Sequence, residues 1–117
     1  MKVAGLLLAL LAVGGCATVN EIEQTHETMD VMSGKDPKDY SECLVHTLSE
    51  TRGPVTVEKS GSGYKLVVPS KLSTGPAAVV DIQERSGGST VKVHERLSNL
   101  PLRFKDVQKA ATHCISG

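Results

Sequence analysis

The sequence predicts a small α+β domain in two layers, with the order α-β-β-β-β-α. Apolar residues recur at helical spacing after Asp36 and again after Pro101. Between Val55 and Leu97 the apolar period changes to two, which is typical of strands. Consecutive strands between two terminal helices favour a four-stranded antiparallel sheet with both helices on one of its faces.

The first predicted helix has a clear beginning and end. Asp36 can cap it, Pro37 suits its first position, and Asp39 places a negative charge in its first turn. Gly53 and Pro54 end it. Its apolar stripe consists of Tyr40, Cys43, Leu44, Thr47 and Leu48.

The strands are delimited by turn residues. A Ser-Gly-Ser-Gly run separates the first two strands, Pro69 ends the second, and Gly87-Gly88 predicts a two-residue hairpin loop. Pairing the residues on either side of that loop places Ile82 opposite Val93 and Asp81 opposite His94. In this register Val80 lies opposite Glu95, which is a misfit that a bulge would explain. The second helix then starts at Pro101, with an apolar stripe of Phe104, Val107, Ala111 and Cys114.

Residues 1–15 have the composition of a signal peptide. Lys2 supplies a positive end, Val3 to Val13 is apolar, and two glycines precede Cys16. A transmembrane anchor is the weaker interpretation, since a spanning helix needs about 20 apolar residues. An ordinary secretory signal followed by an unrelated cysteine is the other alternative.

Val13, Gly14, Gly15 and Cys16 resemble the lipobox of bacterial lipoproteins, with Val and Gly as tolerated variants of its Leu and Ala or Ser. The resemblance implies cleavage before Cys16, a thioether-linked diacylglycerol on that cysteine and a fatty acid such as palmitate on its amino group. Ala17 stands where an Asp would favour the inner membrane, so the resemblance implies the outer membrane, facing the periplasm. The lipid bilayer is thus the first expected partner.

With Cys16 lipidated, Cys43 and Cys114 remain, and an even remainder in a small exported domain predicts a structural disulfide. A zinc site of these cysteines with His46 and His113 is the alternative, but the sequence lacks a metal-binding knuckle. Residues 16–35, which follow the signal, are polar and predict a flexible tether of about 25 Å, and residues 36–117 form the folded domain. Val19, Ile22, His26 and Met29 would line a short helix, which is the competing interpretation.

Composition and motifs argue against two classes of function, nucleic-acid binding and catalysis. Without residues 1–15 the chain has twelve basic and thirteen acidic residues and no basic stripe, which argues against nucleic-acid binding. No cofactor motif, catalytic triad or carboxylate pair stands out, so the sequence predicts a protein that is not an enzyme. We expect a binding module for an envelope protein, which uses the polar face of the sheet, formed by Thr56, Glu58, Lys65, Gln83, Lys92 and His94.

An inhibitor of a periplasmic or foreign hydrolase, such as a lysozyme, is the alternative function. It would need a protruding loop, for which only Ser70 to Pro76 is long enough. The layout of lipobox, polar tether, a cysteine in the first helix and a cysteine near the end is similar to that of small uncharacterised proteobacterial lipoproteins such as the YbfN-like group. That resemblance implies no particular activity.

Overall fold

The α+β class is confirmed by a computed structural model, which describes residues 19–71, 75–96 and 105–116. Its strands form one antiparallel sheet in the order β1-β5-β4-β3-β2. Residues 19–23 are helical and precede the sheet. The other elements are β1 (Glu27–Ser33), α1 (Pro37–Arg52), β2 (Thr56–Ser60), β3 (Gly63–Pro69), β4 (Pro76–Arg85), β5 (Gly88–Glu95) and α2 (Asp106–His113).

Among the described residues the sheet has five strands, so the predicted count of four is wrong. The additional strand, β1, lies within residues 16–35, for which the sequence predicted a flexible tether. Met29 pairs with Val93 and Val31 with Val91, and both β1 side chains pack against the core. The physical reason is that Met29 and Val31 alternate with polar Asp30 and extend the apolar face of the sheet by one strand. The fold therefore has a strand before its first long helix.

The predicted β4–β5 register is wrong by two residues. Arg85 pairs with Gly88, so Ser86 and Gly87 form the loop, and Gly87 has a φ of 83°. In this register Glu95 lies opposite Ala78. The predicted pairing of Glu95 with Val80 therefore does not occur, and the buried Glu95 carboxylate accepts a hydrogen bond of 2.8 Å from Gln108 Nε2.

Both long helices pack on the same face of the sheet and enclose the core. Asp36 caps α1 as predicted, since its Oδ1 accepts a hydrogen bond of 2.8 Å from Asp39 N. Tyr40 is fully buried, its hydroxyl donates to Ala111 O at 2.7 Å, and burial raises its pKa. The buried core residues are Tyr40, Leu44, Leu48, Leu66, Val68, Ala78, Val80, Ile82, Val91, Val93, Val107, Ala110, Ala111 and Cys114.

Helix α2 is joined to α1 near both of its ends. At its first residue, Asp106 accepts hydrogen bonds from Arg52 Nε at 2.8 Å and from Arg52 Nη2 at 2.7 Å. Just beyond its last residue, Cys114 is bonded to Cys43. The predicted helix start at Pro101 and its first apolar residue, Phe104, lie outside the described residues.

Asp106→Asn is expected to lower the free energy of unfolding at pH 7 by about 1.5 kcal/mol, with allowance for partial exposure of the carboxylate. Hydrogen bonds from Arg52, and secondarily from Thr51, lower the pKa of Asp106 from 3.8 to about 2. The carboxylate therefore stabilises the fold fully above the unfolded pKa, and this contribution is lost as the pH falls through the folded value. Urea unfolding between pH 7 and pH 2 measures both effects.

Glu84→Gln is the matched control, since Glu84 is an exposed acid on the same domain. It should change the stability at pH 7 by less than about 0.5 kcal/mol. Stability of Asp106→Asn that fell between pH 5 and pH 2 as steeply as in the wild type would contradict the role assigned to this carboxylate.

Candidate binding surface

The outer face of the sheet, opposite the long helices, carries the polar residues that the sequence placed there. Strand alternation and register bring all six predicted residues, which come from four different strands, to this face. They are Thr56, Glu58, Lys65, Gln83, Lys92 and His94. The shared face is therefore observed, although it is not an open surface.

Charges alternate in a single row across the outer face. Glu58 on β2 pairs with Lys65 on β3, Lys65 with Asp81 on β4, Asp81 with Lys92 on β5, and Lys92 with Asp30 on β1. Each charge thus has opposite charges beside it, which favours this register electrostatically. The pKa of the Lys65 ammonium is raised, first by its hydrogen bond to Glu23 and then by the charges of Glu23, Glu58 and Asp81.

The N-terminal segment, residues 19–26, lies over the middle of this face. Glu23 Oε1 is 2.7 Å from Lys65 Nζ on β3, and Thr25 O is 3.0 Å from His94 Nδ1 on β5. Because β4 lies between those two strands, the segment crosses it. Ile22 in the segment and Val79 on the outer face of β4 are both buried, at 2% and 0% exposure, and neither belongs to the main core. Burial of these two apolar side chains favours docking of the segment.

A charged cavity of about 340 Å³ remains beside the docked segment. Three carboxylates, two ammonium groups and one imidazole line it, together with Ser60 and Val79. Lys65 is paired with Glu23, and Lys92 Nζ is 3.8 Å from Glu27 Oε1. The charges in the cavity therefore neutralise one another to a large extent. The charged lining residues are Glu23, Glu27, Asp81, Lys65, Lys92 and His94.

His94 and Asp81 do not pair across the strands, so the predicted cross-strand pair is wrong. Val79 lies opposite His94, and Asp81 lies opposite Lys92. Asp81 Oδ1 accepts a hydrogen bond of 2.8 Å from Gln83 Nε2, on its own strand. The two-residue change of register places the imidazole and the carboxylate at diagonal positions of the two strands, and both line the charged cavity.

A second, more apolar groove lies between α1 and the edge strand β2. Its volume is about 560 Å³. Val57 on β2 is 44% exposed there, while Val45 on α1 and Tyr64 on β3 are half-buried. The polar rim consists of Lys38, Ser41, Glu42, His46 and Ser49. The groove therefore has an apolar floor that reaches the open edge of the sheet.

The cysteines pair as predicted, with Cys43 and Cys114 joined by a disulfide across a sequence separation of 71. Both sulfurs are thereby removed from metal binding, and His46 and His113 are exposed. Within residues 19–71, 75–96 and 105–116, no three His, Cys, Asp or Glu side chains are grouped closely enough to hold a metal ion. No helix in these same ranges is long and apolar enough to cross a bilayer.

The predicted lipidation site and part of the predicted loop also lie outside the described residues. Cys16 lies before the first described residue. In the loop from Ser70 to Pro76, residues 72–74 are outside, and Ser70 N donates to Gly75 O at 3.0 Å across them.

Sequence reasoning missed Glu23, Glu27 and Asp30 as parts of this surface. All three lie in the segment for which the sequence predicts a flexible tether, although that polar segment also contains Ile22, which is buried. The available signal was the alternation of Asp30 between Met29 and Val31, which predicts a strand.

Comparison with protein-family models, with curated proteins and with solved structures found no significant match to this chain. Inference about its function therefore depends on the surface described above and on the sequence around Cys16.

Proposed function

We propose that the chain is a bacterial lipoprotein that is acylated at Cys16, is anchored in the outer membrane facing the periplasm, and binds another envelope protein without catalysing a reaction. The N-terminal sequence supports the anchor, because a charged end, a short apolar run and a lipobox-like Val-Gly-Gly-Cys follow one another in order. Export also agrees with the disulfide between Cys43 and Cys114, since such bonds persist in oxidising compartments.

The docked N-terminal segment is the structural observation that most strongly supports this proposal. The described fold begins at Val19, three residues after Cys16, and Glu23 and Thr25 already contact the sheet. Three extended residues span at most about 10 Å. A lipid on Cys16 would therefore hold the domain almost against the bilayer, where its partners would be proteins of the same membrane.

A binding role fits the chemistry of the outer face better than catalysis does. In the cavity there, Lys65 and Lys92 are engaged by glutamates, and His94 meets a backbone carbonyl oxygen. A general base needs a free acceptor directed at the substrate, and a nucleophile needs such a base beside it. The arrangement instead stabilises the docked segment, and none of the described residues covers the sheet edge at β2 or fills the groove at α1.

Metabolic labelling with a palmitate analogue tests the anchor. The wild-type chain is expected to carry the label and to sediment with outer-membrane vesicles. Cys16→Ala should lose the label entirely, because it removes both the sulfur that would carry the diacylglycerol and the cleavage signal. Thr18→Ala is the matched control, since it changes a neighbouring residue and leaves Cys16 in place.

Ala17→Asp provides a second readout, because the lipobox resemblance assigns that position to membrane sorting. The variant should keep its label and move to the inner-membrane fraction. Label that persisted on Cys16→Ala would contradict lipidation at this residue. Turnover of an envelope substrate by the purified chain, abolished by His94→Ala, would contradict the non-catalytic role.

A further inference from the structure

Strand β2 is an open and regular sheet edge. Within the described residues it pairs only with β3, through five consecutive pairs without a register shift. Its first four residues are exposed. The opposite edge differs, because the pairing of β1 is interrupted between Glu27 and Met29. Since irregularities of this kind blunt an edge, β2 is the better template for an added strand.

Two rows of side chains that cross the sheet end at β2. The last residue of each row indicates which kind of side chain an added strand would place beside it. On the outer face the alternating row ends with the negative charge of Glu58, so its next member would be basic. On the inner face an apolar row ends at Val57, so its next member would be apolar. The apolar row consists of Val57, Leu66, Val80, Val93 and Met29.

The groove beside α1 provides room for the apolar side chain. Val57 is 44% exposed on its floor, and the groove continues along Val45 and Tyr64. Lys59 Nζ lies 5.6 Å from the centre of the Tyr64 ring, so this charge is turned toward the groove wall. A side chain opposite Val57 would bury apolar surface that the domain alone leaves in contact with water.

A second copy of this chain fits the edge poorly. If both copies kept their helices on the same side, only Thr56, Glu58 or Ser60 of a second β2 could lie opposite Glu58, and none of them is basic. Lys59 could lie opposite Glu58 only if one copy were turned over, which would place a polar residue opposite Val57 and end the apolar row.

We propose that β2 accepts an extended segment of an envelope protein, in which an apolar residue opposite Val57 is adjacent to a Lys or Arg opposite Glu58. This inference rests on the proposed function and names the chemistry of its partner. Backbone hydrogen bonds along β2 supply affinity, and the two side chains supply specificity.

Selection from a library of random nonapeptides displayed on phage tests the proposal, with the purified lipidated chain in detergent as the target. Peptides with adjacent apolar and basic residues should be enriched. In NMR spectra of the chain, one such synthetic peptide should shift the amide signals of β2 and of the part of α1 that lines the groove. Glu58→Lys should weaken its binding roughly tenfold and select acidic peptides instead.

Glu84→Lys is the matched control, because it makes the same charge change on an exposed residue of β4, which β3 separates from β2, and should leave the selection unchanged. Peptides that shifted the signals of α2 or β1 and not of β2 would overturn the proposal, as would an unchanged preference in Glu58→Lys. Concentration-dependent dimers abolished by Val57→Lys would identify a second copy as the occupant and also overturn it. None of these outcomes alters the palmitate result, so failure at β2 is distinguishable from failure of the anchor.

Discussion

Replacing Cys43 and Cys114 together with alanine is expected to lower the free energy of unfolding by about 4 kcal/mol. The bond closes a loop with a sequence separation of 71, so it restricts the unfolded chain strongly. Cys114 is fully buried, and its sulfur lies 3.8 Å from Thr47 Oγ1, so the double variant also loses packing between the helices. Urea unfolding followed by circular dichroism measures the difference.

Cys16→Ala is the control for the loss of a sulfur atom, since it should leave the stability of the folded domain unchanged. Adding a reductant should bring the wild-type chain close to the double variant and leave that variant unaffected. A difference below about 1 kcal/mol between the oxidised wild type and the double variant would contradict a structural role for the bond.

Gly88→Ala is expected to lower the free energy of unfolding by about 3 kcal/mol and to detach β1 from the sheet. Gly88 has a φ of 152°, which residues with a side chain rarely adopt. A Cβ atom there would also overlap with the carbonyl oxygen of Ser33 at the end of β1. Urea unfolding gives the stability, and the amide signals of β1 report whether this strand remains paired.

Gly34→Ala is the matched control, because a Cβ atom at Gly34 meets nothing within 4 Å. It should change the stability by less than about 0.5 kcal/mol. Equal stabilities of the two variants would contradict the close approach of β1 to Gly88.

The elements with strong local signals were predictable from the sequence. Helix α1 begins after Asp36 as predicted, because its cap, its proline and its apolar stripe all lie within a few residues of one another. The register of β4 and β5 was not predictable from the Gly87-Gly88 pair, because Gly88 serves a tertiary contact. It accommodates the backbone of β1, so the loop is formed by Ser86 and Gly87.

The polar face of the sheet was predictable, but the docking of the N-terminal segment on it was not. Strand alternation was sufficient to assign Lys65, Lys92 and His94 to one side of the sheet. That Glu23 and Thr25 would dock on these side chains depends on contacts between distant residues, which neither composition nor periodicity reveals. Strand β1 was missed for the same reason, since only Met29 and Val31 support it locally and β5 completes it.

Helix α2 is attached to α1 at both of its ends, which restricts local unfolding of this helix. An isolated helix of eight residues would fray in water within a fraction of a microsecond. Here Arg52 holds its beginning and Cys43 holds the residue after its end, while Tyr40 bonds to Ala111 near its last turn. We therefore expect neither end of α2 to fray while α1 stays folded. This short helix is thus tied to the cooperative unit formed by α1 and the sheet, and its amide hydrogens are expected to exchange with solvent on the timescale of that unit.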